Sequence, residues 1–513
     1  MAGERRQGFV GAMTSWRTAS VSLLSFSSGL PLGLVWLAIP DWMRSSGVDI
    51  RVVGLFTLAQ APWSFKMLWS PLMDRYVPPF WGRRRGWAAI WQVALVVLTL
   101  LLAGVAHAPD APWVVGAVVL AIAFASASQD IAIDAYAVEV LRADEQGVAV
   151  GARTALYRAA MFVAGGLSIT AAAHLGWPAV NVLLALLYLP MLVVTWLAPE
   201  PEVVPVAPRS LREAIWLPFL GFLSRHRALE ILCFVLTYKL ADNLCQALTR
   251  PFLIDMGNSG DDRGVALGTV GLAATLGGTF FGGAATARLG LGHALWIFGV
   301  LQSVANLGYW LVAQSPVNRP LMYGAIGFEQ LLSGMGTGAF SVLLLRLTQR
   351  RFSATQFALF SSLFGLPRIL SGPLSGFLVD AIGWPHFFLA TIACGIPGLV
   401  FLARFVPPGT REPEFTVEPV APGEPLSTVA LVIRGFAGGV VALLVGASLL
   451  AALALVKTRE ASFVSLLLGL ARPDDWSGGL QTGGLVVFGA LVGLFVAAAS
   501  AARHGGAPAD DGT

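Results

Sequence analysis

Charge is what this 513-residue sequence has least of. Asp, Glu, Lys and Arg make up 12% of it, against roughly 25% in soluble domains. Apolar residues make up 56%, and the mean hydropathy is +0.73. That shortage excludes a soluble globular fold and points to an all-α polytopic membrane protein. Cysteine is scarce too: of the three, Cys233 and Cys245 share one predicted helix and Cys394 lies on another, which excludes a disulfide framework or a zinc site. The six histidines, His107, His174, His226, His293, His386 and His504, fall in loops, near helix ends or in the tail. None makes a catalytic dyad, and no P-loop or metal-ligand spacing occurs, so an enzyme, an ATP-driven pump and a bound metal or cofactor are all disfavoured. The net charge of +4 suits anionic lipid headgroups better than a nucleic acid.

Long apolar runs are what the chain has instead. Fourteen begin near Thr18, Val52, Gly86, Trp113, Val148, Trp177, Ala228, Gly264, Gly292, Leu321, Thr355, Trp384, Thr428 and Leu480, each approaching the about 20 residues a helix needs to cross a bilayer. The first sixteen residues are polar and no small-residue cleavage site follows the first run, so it reads as a retained helix. With an inside start, Lys and Arg concentrate in the inside segments, which predicts a multi-pass protein with both termini cytoplasmic. The predicted order is a six-helix bundle over 1–198, a cytoplasmic linker over 199–227, and a second six-helix bundle over 228–406. A second linker over 407–427, two additional transmembrane helices over 428–503 and a disordered tail over 504–513 follow. Within the first linker, Ser210-Leu-Arg-Glu213 carries a capping-box pattern ahead of an amphipathic surface helix.

Ionisable groups inside these runs are costly, at least about 2.5 kcal/mol at mid-helix on insertion scales, so each needs a partner or a wet cavity. Ser126, Asp130 and Asp134 recur every four residues beside Gln129, stacking on one helix face. By helical rise Asp130 lies about 13 Å from the inner end of its helix and Arg158 about 11 Å from the inner end of the next. Equal depth predicts an Arg158–Asp130 pair, with Arg153 or the 83–85 triplet serving Asp134. Lys239, Asp242, Asn243 and Gln246 form one polar face near the midplane of the seventh run, where transporters place their sites. Asp130, Asp134 and Asp242 are the proton-coupling candidates, the alternative being permanent ion pairs that latch helices or aid insertion. Arg368 is the first candidate for an anionic substrate group, because its planar fork matches a carboxylate; it can equally neutralise Glu329. Lys239, Gln129, Asn243, Gln246, Glu329, Gln330, Arg158 and Lys66 complete the substrate-facing set, although Lys66 can also snorkel inward.

The connection Ser70-Pro-Leu-Met-Asp-Arg-Tyr-Val-Pro-Pro-Phe-Trp-Gly-Arg-Arg-Arg-Gly-Trp87 joins the second and third runs. Asp74, Arg75, Arg83, Arg84 and Arg85 read as gating charges that pair across the bundle in one conformation only. Gly29-Leu-Pro31 and Gly365-Leu-Pro-Arg368 are predicted helix breaks.

This hairpin resembles the one linking helices 2 and 3 of the major facilitator transporters. With Phe65-Lys-Met-Leu-Trp-Ser-Pro-Leu-Met-Asp-Arg-Tyr76, Ser126-Ala-Ser-Gln-Asp-Ile131, Tyr238-Lys-Leu240 and Phe352-Ser-Ala-Thr-Gln-Phe-Ala-Leu359, the chain is similar to the AmpG-type muropeptide permeases of that superfamily. The resemblance spans roughly Leu23 to Ala501, with a departure at Ala38-Ile-Pro-Asp41. It implies a major facilitator fold with two extra C-terminal helices, 14 in total. It also implies proton symport, by alternating access across the bacterial inner membrane, of N-acetylglucosaminyl-anhydro-N-acetylmuramyl sugars and peptides, hence peptidoglycan recycling and a link to β-lactamase induction. The expected partners are a glycopeptide or sugar, protons and the lipid bilayer, with no nucleic acid, and a monomer. A carrier of another anionic solute such as acetyl-coenzyme A, or a non-transporting sensor of muropeptides, is the alternative.

Overall fold

The computed structural model describes residues 11, 14–48, 59–105, 112–202, 206–225, 227–315, 317–415, 426–458, 462–471 and 476–505. The start of the second predicted span, residues 416–425 of the second linker and nearly all of the predicted tail lie outside the described residues.

Helix α1 covers Trp16–Met43. Short helices α2 (Ala61–Phe65) and α3 (Ser70–Arg75) flank a 3₁₀ turn at Lys66–Leu68. Then come α4 (Arg83–Val105), α5 (Pro112–Val140), α6 (Gln146–Leu175) and α7 (Trp177–Leu197). The linker helix α8 is Leu211–Leu223, and Ser210 Oγ accepts the Glu213 amide at 3.2 Å, as the capping pattern requires. Helices α9 (Ala228–Thr237), α10 (Leu240–Ala247) and α11 (Thr249–Asp255) form one interrupted span. They are followed by α12 (Asp262–Leu289), α13 (Leu291–Gln314), α14 (Arg319–Leu347) and α15 (Ser353–Phe405). The chain ends with α16 (Thr428–Thr458), α17 (Phe463–Ala471) and α18 (Trp476–Gly505).

Among the described residues, eleven helices are long and apolar enough to cross a membrane. Three predicted spans, the second, seventh and eleventh, are not in that set. The second is broken by the 3₁₀ turn at Lys66–Leu68, where Phe65 leaves the helical region, and the seventh at Lys239 and Leu248, where the backbone leaves it again. The eleventh and twelfth are two helices, taken together as α15, that meet at a kink at Gly383 (φ +73°), a conformation costly for any residue with a Cβ. The other predicted breaks are corrected. Pro31 stays inside α1, and the disturbance appears just after it as a π-helical turn at Leu34–Ala38. At Gly365–Arg368 α15 continues, its one non-helical residue being Gly383.

The chain packs as two compact units, Met1–Ala214 with Leu229–Glu414, and Ile215–Ala228 with Phe415–Thr513. In the first, small residues let helix backbones touch. A Cβ on Gly29 of α1 would sit 2.1 Å from the Tyr157 carbonyl of α6, and one on Gly147 of α6 would sit 2.4 Å from the Gly283 carbonyl of α12. The second contact joins the first group of spans to the second. Helix α5 is buried along most of its length, with Ala127, Ile131, Ala135 and Tyr136 shut off from the surface. Its polar residues therefore face protein. In the second unit α16 crosses α18 through Gly435, Gly439, Gly489 and Gly493.

Candidate functional site

Most buried charge in the first unit gathers into three networks, with Glu145, bound by Arg17, standing apart. One lies at the hairpin end, where α3, α4, the end of α5 and the start of α15 meet. The sequence Asp74…Arg83-Arg84 puts both signs within one short turn, and the fold adds Glu139 from α5. Arg84, 3% exposed, donates to Asp74 Oδ1 (2.5 Å), Glu139 Oε1 (2.7 Å), Ser353 Oγ (2.7 Å) and the Met73 carbonyl (3.1 Å). Arg83 donates to Glu139 Oε1 at 2.8 Å, and so does Ser353, at 2.5 Å. The Asp74 carboxylate accepts the Thr355 amide (2.8 Å), the Thr355 hydroxyl (2.6 Å) and the Ala354 amide (3.3 Å). These are free donors of the first turn of α15, at the positive end of its dipole. Two acids thus balance two guanidinium groups, and three elements of the first group of spans hold the start of α15. Arg346 of α14 adds a bond to Gln146 of α6 at 3.3 Å.

Not all the predicted gating charges join this network. Arg85 pairs with Glu200 and donates to the carbonyls of Trp196 and Ala198, tying α4 to the end of α7. Arg75 lies over the Tyr76 ring at 5.5 Å. Only Asp74, Arg83 and Arg84 bridge the two groups of spans. Ser353, Thr355 and Glu139 were missed; the signal for the first two was Ser353-Ala-Thr355 opening an apolar run, which reads as a helix start.

The second network joins α5, α6 and the Lys66 turn. Lys66, 6% exposed, donates to Asp134 Oδ2 at 3.2 Å, and Arg153 pairs with Asp134 Oδ1. Arg153 was one of the expected partners; Lys66 was not. Asp130 has the Ser28 hydroxyl of α1 as its hydrogen-bond partner, and Lys66, Asp134 and Arg153 are the charges that act on it. The predicted Arg158–Asp130 pair is corrected: among the described residues neither side chain makes an ion pair. Arg158 follows Arg153 by five residues, about 140° around the helix, so equal depth does not bring it to the same face. Gln129 donates to Ser27 Oγ of α1 at 2.7 Å.

The third network lies where α9 gives way to α10. Lys239 Nζ contacts Asp242 Oδ2 at 2.5 Å, Gln302 Oε1 at 2.9 Å, the Ser333 carbonyl at 2.8 Å and Ser333 Oγ at 3.0 Å. That saturates its three hydrogens. Glu329 of α14, fully buried, accepts Gln246 Nε2 at 3.0 Å and the Tyr309 hydroxyl at 3.3 Å. Gln330 accepts from Thr275 Oγ1 at 2.9 Å. Asn243 is half-buried on the same turn. Gln302, Ser333 and Tyr309 were missed, although a glutamine in the middle of an apolar helix is itself a signal.

Arg368 does not reach Glu329. It is exposed at mid-helix, and the charged or titratable groups acting on it are Arg158 and Tyr157 of α6. The two arginines, one from each group of spans, stand within electrostatic reach of each other and make no ion pair among the described residues. No group of three or more His, Cys, Asp or Glu among the described residues can hold a metal ion. The three cysteines are free.

Residues 21–371 match the sequence model of the Major Facilitator Superfamily. The chain belongs to that superfamily. Over 389 residues this superfamily member is 42% identical to the anhydromuropeptide permease of Escherichia coli (strain K12), covering 75% of this chain and 79% of that one. It therefore also belongs to the permease family of that protein. An uncharacterized protein of Haemophilus influenzae is 34% identical over 394 residues, 74% of this chain and 92% of that one. Among solved structures the fold resembles the proton:xylose symporter XylE bound to 6-bromo-6-deoxy-D-glucose, with TM-score 0.59, 13% identity, and 77% of this chain and 97% of that one covered. The chain is a multi-pass membrane protein with the major facilitator fold.

Proposed function

We propose that this protein imports peptidoglycan turnover fragments, N-acetylglucosamine joined to anhydro-N-acetylmuramic acid with or without a short peptide, across the bacterial inner membrane in symport with protons. The observation that carries the substrate is the 42% identity over 389 residues to an anhydromuropeptide permease. The distribution of Lys and Arg puts the 70–87 hairpin on the cytoplasmic side. On that assignment the Asp74–Arg84–Glu139–Ser353 network is a cytoplasmic gate, closed in this conformation, and alternating access requires it to break.

Asp130 is the proton-coupling group of this reading. Lys66 and Arg153 both bind Asp134, which leaves Asp130 a hydroxyl partner and a nearby cation it does not bind. A carboxyl so placed can take up a proton without stranding a charge, whereas Asp134 cannot. Arg368 and Arg158 receive the substrate carboxylates: both are mid-span cations that have no acid partner among the described residues, and guanidinium forks suit carboxylates. Gln246, Asn243 and Gln330 supply polar contacts for sugar hydroxyl and acetamido groups.

The test is uptake of radiolabelled anhydro-disaccharide into proteoliposomes under an imposed pH gradient. Accumulation that collapses with the gradient, and that peptide-bearing analogues inhibit while acetyl-coenzyme A does not, is the expected result. Competition by acetyl-coenzyme A at equal concentration, or binding with no uptake, overturns it.

A further inference from the structure

The two groups of spans handle their buried acids alike. In the first, Asp134 holds Lys66 and Arg153 and leaves Asp130 without an ion pair. In the second, Asp242 holds Lys239 and leaves Glu329 without one. Asp130 lies on α5 and Glu329 on α14, and both helices end at the hairpin side of the bundle, where Glu139 and the Arg350–Phe352 turn lie. By helical rise Asp130 is about 13 Å from Glu139, whereas Glu329 is about 15 Å from Arg319 at the far end of its helix. The unpaired acids therefore sit at opposite depths.

We propose that Glu329 is a second proton-binding group, on the side away from the gate, held as the neutral acid in this conformation; the inference rests on the symport reading above. Glu329 is 0% exposed, and a carboxylate there needs a cation that the site does not spare. The charged and titratable groups facing it are Lys239 and Asp242 at the head of α10, Cys245 on α10 and Tyr309 on α13. Lys239 is fully occupied by Asp242, Gln302 and Ser333. The remaining partners serve either protonation state. The Tyr309 hydroxyl can donate to a Glu329 carboxylate, or accept from the carboxylic acid while donating to Thr249. Gln246 Nε2 donates to Glu329 Oε1 at 3.0 Å and to Ser333 Oγ at 3.2 Å, and Ser333 Oγ lies 3.0 Å from Lys239 Nζ. When the proton leaves Glu329 to water, the Lys239 ammonium, three hydrogen bonds away through Gln246 and Ser333, is the charge that can move toward the new carboxylate. Because Gln246 is exposed, a ligand that engages its amide disturbs this chain directly. Ligand binding and loss of the Glu329 proton are thereby linked.

The experiment measures anhydro-disaccharide affinity as a function of pH on purified wild type, E329Q, Y309F and D130N, with infrared difference spectra between neutral and alkaline pH. One linked proton changes affinity by up to about tenfold per pH unit. The wild type should show such a slope together with a protonated-carboxyl stretch; E329Q should lack that band and flatten the slope. Y309F, which deprives the carboxylate of a donor, should move the same step to higher pH. A wild-type slope in E329Q, or infrared spectra in which wild type and E329Q share every carboxyl band, overturns the inference. D130N separates it from the reading it rests on. Accumulation that survives in D130N removes Asp130 from coupling whatever Glu329 does, and an E329Q variant with an unaltered profile removes Glu329 while leaving Asp130 in place.

Discussion

Asp74 and Thr355, 281 residues apart in the chain, meet through two hydrogen bonds, the amide at 2.8 Å and the hydroxyl at 2.6 Å, both to Oδ2. Each belongs to a different group of spans. The closed hairpin end therefore depends on one buried side chain that holds Arg84 and the start of α15 together.

Asp74→Asn leaves Arg84 with one acid to share with Arg83. Removing one member of a buried pair costs about 3–5 kcal/mol, and here the closed conformation bears that cost. A cysteine introduced as Gln146→Cys, in a background lacking the native cysteines, should react faster with a water-soluble maleimide in the Asp74→Asn variant. Unchanged labelling would mean that the network does not hold the end shut.

Thr355→Val keeps the amide bond and loses the hydroxyl one, so its effect should be smaller, on the order of 1 kcal/mol. In a double-mutant cycle with Asp74→Asn the two should be non-additive, read from the same labelling rates.

Asp130→Asn should abolish gradient-driven accumulation and spare counterflow in proteoliposomes. Asp134→Asn should act on the fold instead, because it strands Lys66 and Arg153 together. Its melting temperature in detergent should fall well below that of Asp130→Asn, and the reverse order would exchange the two roles.

Arg368→Lys keeps the charge and loses the fork. Uptake of peptide-bearing substrates with a free carboxylate should weaken more than uptake of their amidated analogues, measured as a ratio of half-saturation concentrations. Equal weakening would take Arg368 out of carboxylate recognition.

Glu202, outside the spans, is held below the usual carboxylate range first by its bond to Arg142 and also by Arg17 at 2.9 Å. A depressed folded-state pKa contributes stability that is present above the unfolded value and is lost as pH falls through the folded one. Because the pair is exposed and solvent-screened, the gain stays within about 1 kcal/mol. Glu202→Gln should lower the melting temperature slightly at neutral pH and leave it unchanged in strong acid.

Class and family were legible because both are carried by contiguous sequence: long apolar runs, and motifs such as the 70–87 hairpin. The Asp134–Arg153 pair was legible as one of two options, since spacing along a helix fixes depth. Arg158 shows the limit, because depth says nothing about azimuth, and two groups at one level can face opposite ways. Lys66 was seen as a charge but not as the partner of Asp134, because the break in its helix turns the side chain by an amount that periodicity does not encode. The eleventh and twelfth spans were legible as well: one left-handed residue, Gly383, divides the two helices just before Trp384, where the twelfth run begins.

The long helix that carries Arg368 has no side-chain cap of its own; Phe352 precedes it and offers none. Its capping group is borrowed from Asp74, so parting the two groups of spans leaves the amides of Ala354 and Thr355 to water or to fraying. Mechanical separation at one end is thus bound to partial melting of a helix whose middle carries the candidate anion ligand, and a local order–disorder change accompanies what would otherwise be a rigid rotation.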